Sequence, residues 1–115
     1  MIPELRQWDV VKVRINPQDR DEHPAVVLSP DEIAGDPKTR KINVLYGTSR
    51  RPGFAQAVHE VQLNGAEGLE RATLFSCAHL YQVDPVKVTL RLGRVGVERR
   101  RQLGRKIVAT FRLPL

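Results

Sequence analysis

The chain opens on alternation. In Trp8 to Ile15, WDVVKVRI, Val11, Val13 and Ile15 share one side and Val10, Lys12 and Arg14 the other, which predicts a half-buried strand. Asn16-Pro17-Gln18-Asp19 breaks it, because proline cannot continue a central strand. A charged loop, Asp19-Arg20-Asp21-Glu22, then gives way at His23-Pro24 to the apolar run Ala25-Val26-Val27-Leu28, a buried second strand. Pro24 disfavours a helical conformation at His23. His23 is therefore expected at the mouth of a strand, where a side chain is held yet meets solvent.

Further along, Ser29 or Asp31 is expected to cap a helical turn with Ile33-Ala34 as its apolar side, and Gly35-Asp36-Pro37 breaks it. Lys41 to Tyr46, KINVLY, predicts a third strand ended by Gly47, with Thr48-Ser49-Arg50-Arg51-Pro52-Gly53 as a loop. Ala55 to Leu63 alternates, with Ala57, His59, Val61 and Leu63 on one face. Asn64-Gly65 is a strong turn signal. Thr73 to Ala78 and Leu80 to Val83 read as strand pieces with a bend between them. Val86 to Leu92 alternates again after Asp84-Pro85 and stops at Gly93. Only the tail reads as a helix: from Val97, the residues Leu103, Ile107 and Phe111 recur every four positions. Gly104 weakens that helix relative to alanine, and is expected where something packs closely. Some six short strands and one C-terminal helix predict a mainly β fold, a small barrel or curved sheet.

Composition narrows the function classes. The length of 115 residues and 41% hydrophobic content predict one soluble domain over 1–115. No apolar run approaches the roughly 20 residues that span a bilayer. MIPELRQWD lacks the apolar region of a signal peptide, so the expected location is cytoplasmic. The formal charge of +6 is uneven: residues 86–115 hold nine basic and one acidic residue, and residues 1–85 carry a net −2. Such a tail suits a polyanion or an acidic partner, or is a solvated helix face. Cys77 is the one cysteine, so an internal disulfide is excluded and a buried structural thiol is expected. A nucleophile would need a base, and His79 two residues on is the one on offer.

Two stretches carry candidate chemistry. Asp19, Asp21 and Glu22 offer hard oxygen ligands, though without a further partner they read as a solvated loop. Thr48 and Ser49 supply hydroxyls and Arg50 and Arg51 guanidiniums, natural phosphate contacts that an ordinary turn would also tolerate.

Taken together, the chain resembles the MazF/PemK family of toxins. The likeness rests on Asp9-Val10-Val11 with alternation after it, a polar loop, Pro24-Ala25-Val26-Val27-Leu28-Ser29, a strand ending near Thr48-Ser49, Leu63-Asn64-Gly65, the run around Cys77 closing on Val83-Asp84, and a short C-terminal helix. The resemblance implies an SH3-like barrel of the MazF/PemK/CcdB type that dimerises. It also implies metal-independent cleavage of single-stranded RNA by a ribose 2′-OH, with no cofactor, and an acidic antitoxin that blocks the RNA groove. The chain departs from the family at three places. His23 stands where Arg usually precedes the proline, Ser76-Cys77-Ala78 where Arg-Cys-Asp is frequent, and Trp8 where Gly usually precedes the aspartate.

Such cleavage needs a base, an acid and positive charge at the phosphate. Histidine, with an unperturbed pKa of about 6.5, can serve as base or acid. The expected catalytic residues are His23, Thr48 and Ser49. Arg20, Arg50, Arg51, Ser76 and His79 are the expected RNA contacts, with His79 also available as a second histidine. The alternative is a binding module of the same fold that grips RNA through the basic tail, or grips a protein, as CcdB-type toxins grip gyrase. A third reading is a structural subunit whose basic helix docks on an acidic partner.

Overall fold

Valine-rich segments form the middle of an antiparallel sheet. In the computed structural model, which describes residues 4–14, 18, 22–49 and 58–115, β1 (Asp9–Val13) lies between β2 (His23–Val27) and a late strand, Val88–Arg94. Outside β2 come β3 (Ile42–Ser49), β5 (Thr73–Ser76) and β4 (Glu60–Leu63), and β6 (Tyr81–Val83) pairs with the first half of β3. With the late strand as β7, the order is β4-β5-β3-β2-β1-β7. The fold is mainly β, and the sheet curls without pairing its two ends, β4 and β7. The turn after β4 bridges that seam. Asn64 caps the 3-10 turn Gly65–Glu67, and Gly68 at φ 91° abuts the Leu92 carbonyl so closely that a Cβ would overlap it.

Alternation sends side chains into two cores. Val11, Val13, Ala25, Val27, Ile42 and Val44 join Leu5, Ala34, Val83 and Val88 on one side. Val10, Val26, Leu45, Val61, Leu63, Phe75 and Cys77 join Val95 and Leu103 on the other. β1 is therefore buried on both faces rather than half-buried: Val10 is fully enclosed, and Lys12 reaches Glu70 at 3.9 Å. The second core is closed by α2 (Val97–Phe111), which begins at the residue the periodicity predicts. Leu103 is fully buried and Ile107 packs beside it, each such burial stabilising by roughly 1.5–3 kcal/mol. Phe111 lies past the end of the contact, 41% exposed. Among the described residues nothing lies within 4 Å of where a Gly104 Cβ would stand, so they show no close packing there.

Several boundaries move for identifiable reasons. Gly47 does not end β3, which runs on to Ser49 by changing partner from β2 and β6 to β5. A Cβ at Gly47 would stand 2.6 Å from Thr73 and 2.7 Å from the Phe75 ring, so glycine is needed there for packing rather than for a turn. β4 begins only at Glu60, and His59 precedes it in a turn. Gly93 lies inside β7, and Pro85–Lys87 is a 3-10 turn capped by Asp84. Neither Ser29 nor Asp31 caps α1 (Asp31–Ala34): Ser29 Oγ accepts from the Asn43 N–H at 2.9 Å and Asp31 Oδ1 from the Gln7 N–H at 2.8 Å.

The Asp9 carboxylate is buried and fully engaged. It accepts from the Arg6 N–H at 2.8 Å and lies 3.7 Å and 3.9 Å from the guanidiniums of Arg91 and Arg94. A carboxylate without such partners would be strongly destabilising at that depth. Trp8 before it has φ 74°, the left-handed region that glycine adopts most readily.

Candidate functional site

β2 and β3 pair with Ala25 opposite Tyr46, Val26 opposite Leu45 and Val27 opposite Val44. That pairing ends at Ala25 and Tyr46: His23 lies two residues before it on β2, paired with Val13 of β1, and Thr48 two residues after it on β3, paired with Leu74 of β5. Strand alternation puts His23 on the side of Ala25 and Val27, and Thr48 on the side of Val44 and Tyr46, which is one and the same side. β5 extends this surface. Leu74 pairs with Thr48, and Ser76, two residues on, shares its side and faces Glu60 on β4. Thr48 is exposed; His23 and Ser76 are half-buried. Ser76 Oγ accepts a long hydrogen bond from the Ala78 N–H at 3.4 Å.

His79 is exposed in the bend that joins β5 to β6. Its ring centroid is 6.4 Å from that of Tyr81, and Tyr81 is 4.6 Å from Tyr46. Burial, with Tyr81 as a second influence, raises the Tyr46 phenol above its ordinary pKa. Ser49 ends β3 opposite Thr73. Arg20, Arg50 and Arg51 lie outside the described residues, as do Asp19 and Asp21; Glu22 pairs with Arg14 at 3.3 Å.

Cys77 is not part of this surface. It is fully buried in the second core with its Sγ 4.0 Å from the Leu103 carbonyl oxygen, and burial pushes its thiol up to about 11. A turn at Cys77-Ala78, not a strand, separates it from His79, so the two do not share a face and the nucleophile idea falls. Tyr46, Tyr81 and the buried Glu60 are the neighbours that the sequence reading missed. Extending β3 through Gly47 would have put Tyr46 two residues from Thr48 on the same side.

The basic tail lies across the sheet from this surface, because Leu103 packs with Val10, Val26 and Leu45. Part of its charge is tied down. Arg99 stands 3.8 Å from Glu67 and donates to Gln102 at 2.8 Å, and Arg100 donates to the Val95 carbonyl at 2.6 Å. Arg101 and Arg105 stay exposed and line a surface cleft with Lys106.

A curled antiparallel sheet closed on one side by a C-terminal helix, with a hydroxyl, imidazole and phenol surface on the other, has clear structural counterparts. The chain is similar to the Mycobacterium tuberculosis toxin MazF-mt6, with TM-score 0.72 and 17% identity over 93% of this chain and 99% of that one. A mycobacterial endoribonuclease solved with its cognate antitoxin gives TM-score 0.76 and 12% identity over 96% and 98%. A MazE–MazF structure from Deinococcus radiodurans gives 0.73 and 18% over 98% and 100%. These likenesses establish the fold. No curated protein sequence matches the chain. The sequence profile of the PemK-like, MazF-like toxins of type II toxin–antitoxin systems matches residues 6–111, and the chain belongs to that family.

Proposed function

We propose that the chain is a toxin endoribonuclease that cleaves single-stranded RNA without a metal ion. The ribose 2′-oxygen bonds to the adjacent phosphorus and gives its proton to a base. The bond to the 5′-oxygen breaks and that oxygen takes a proton from an acid, leaving a 2′,3′-cyclic phosphate and a 5′-hydroxyl. His23 serves one of these proton transfers. Thr48 and Ser49 donate to the phosphate oxygens, and Arg20, Arg50 and Arg51 supply charge that no physiological pH removes. Ser76 and His79 contact the RNA beside them. One observation supports this reading: His23 and Thr48 lie just beyond the same end of the β2–β3 pairing, on the side of the sheet that α2 does not cover.

Membership in a family of type II toxin–antitoxin toxins supports an antitoxin as partner. A second copy of the chain and a cytoplasmic location are further parts of the proposed function. The mycobacterial endoribonuclease was solved in complex with its cognate antitoxin, and the Deinococcus structure is of MazE–MazF. No helix among the described residues is long and apolar enough to cross a membrane.

The test is incubation of purified protein with mixed-sequence single-stranded RNA in EDTA. Cleavage with cyclic phosphate ends is expected, falling about 100-fold or more in His23→Ala. Intact RNA, or an undiminished rate in His23→Ala, overturns the reading. Salt-sensitive RNA binding without cleavage would favour the binding-module alternative.

A further inference from the structure

The rings of Tyr46, Tyr81 and His79 form a row on the proposed RNA side of the sheet. Tyr46 and Tyr81 have centroids 4.6 Å apart at 44°, and Tyr81 and His79 6.4 Å apart at 46°. The row is anchored at one end and open at the other. Tyr46 packs half-buried against the first core, which fixes its ring. Tyr81 is 44% exposed, so its ring is open to a ligand. The backbone pairing of Tyr81 with Val44 holds the ladder rigid from beneath.

Same-side residues two apart on a strand are separated by about 7 Å, so Tyr46 adjoins Thr48 directly. An unpaired base has two exposed faces, and single-stranded nucleic acids are gripped by aromatic rings that accept those faces. A base attached near a phosphate held at Thr48 would meet this row first.

We infer that Tyr81, backed by Tyr46 and flanked by His79, is a stacking platform for one unpaired base next to the scissile phosphate. Its role rests on the ribonuclease reading of His23 and Thr48. A base is favoured over an apolar peptide because the row carries two phenols and an imidazole and adjoins a hydroxyl surface. Stacking itself tolerates any base, and the phenol and imidazole edges then select among them. The Tyr46 hydroxyl, a neutral phenol, is a donor for an acceptor on that base.

The experiment uses two fluorescein-labelled probes of equal length, a mixed-sequence 2′-O-methyl oligoribonucleotide that cannot be cleaved and an abasic strand with the same phosphates. Tyr81→Ala is expected to weaken binding of the first about tenfold or more, with the abasic strand unaffected. Tyr81→Phe should stay within about twofold of the parent. On cleavable RNA, Tyr81→Ala should raise KM more than it lowers kcat and change which sites are cut. His79→Ala, at an exposed position, provides a second variant if Tyr81→Ala is unstable, with a smaller loss in the same direction. Equal affinity of the parent and both alanine variants for the base-containing probe overturns the platform while RNA cleavage by the parent leaves the His23 reading standing. A parent that neither binds the probe nor cleaves RNA overturns both.

Discussion

The two sides of the sheet are finished in opposite ways. Behind it, Phe75, Leu45, Val26 and Val10 are sealed by Leu103 and Ile107 of α2, and even the thiol of Cys77 is withdrawn from water. In front, the aliphatic core of Val11, Val13, Val27 and Val44 gives way at one end to His23, Tyr46, Thr48 and Ser76. The same strands supply both, since alternate residues point opposite ways. The rear holds the fold together, and the front end keeps polar groups where a ligand can reach them. A fixed sheet between them lets the front hold a hydroxyl, an imidazole and phenols in place without contributing much to stability.

This contrast can be broken by substitution. Phe75→Ala, at the rear, is expected to cost about 3–5 kcal/mol in urea unfolding. His23→Ala and Thr48→Ala should remove cleavage while shifting stability by about 1 kcal/mol or less. If the front substitutions unfold the protein as readily as Phe75→Ala does, the division of roles is wrong. Next in size is a pH effect at the rear. The folded Cys77 thiol is raised to about 11 from an ordinary value of 9.0, near which the unfolded thiol ionises. The unfolded state therefore sheds its proton first, and stability should fall as pH rises between those values, by roughly 2–3 kcal/mol. In Cys77→Ala that part of the decline should vanish from denaturation curves taken across the range.

Smaller still is Gly104→Ala, which fills open space on α2 and should stabilise by up to about 1 kcal/mol with cleavage unchanged. The smallest effect is expected from Arg101→Glu with Arg105→Glu. These are the exposed cations behind the sheet, and their reversal should alter cleavage at moderate salt less than twofold. A loss of RNA affinity comparable to that expected for Tyr81→Ala would move the nucleic-acid surface to the helix instead.

Periodicity alone made most of the architecture readable. α2 starts at Val97 as the four-residue spacing implies, β1 and the first part of β3 fall within the predicted runs, and β2 overlaps its run but begins two residues earlier, at His23. The errors came from glycines and from covering. Gly47 and Gly93 read as stops, but each lies in a strand where a neighbour approaches too closely for a side chain. Val10 read as a residue of a polar face because sequence cannot show that a helix 90 residues later covers it. The front surface was half legible. His23, Thr48 and Ser76 could be named from residue type and family pattern, whereas Tyr46 and Tyr81 meet only through the β3–β6 pairing.

Trp8 is the one tryptophan of the chain, and its backbone ties together segments far apart in sequence. Its N–H donates to the Val27 carbonyl at 2.8 Å, and its own carbonyl accepts from the Val95 N–H at 2.9 Å. The indole, lodged partly against the rear core, is thus a single native fluorophore at the junction of the first strand, the second strand and the approach to the helix. Its emission spectrum should shift only when that junction parts, giving an unlabelled optical record of unfolding.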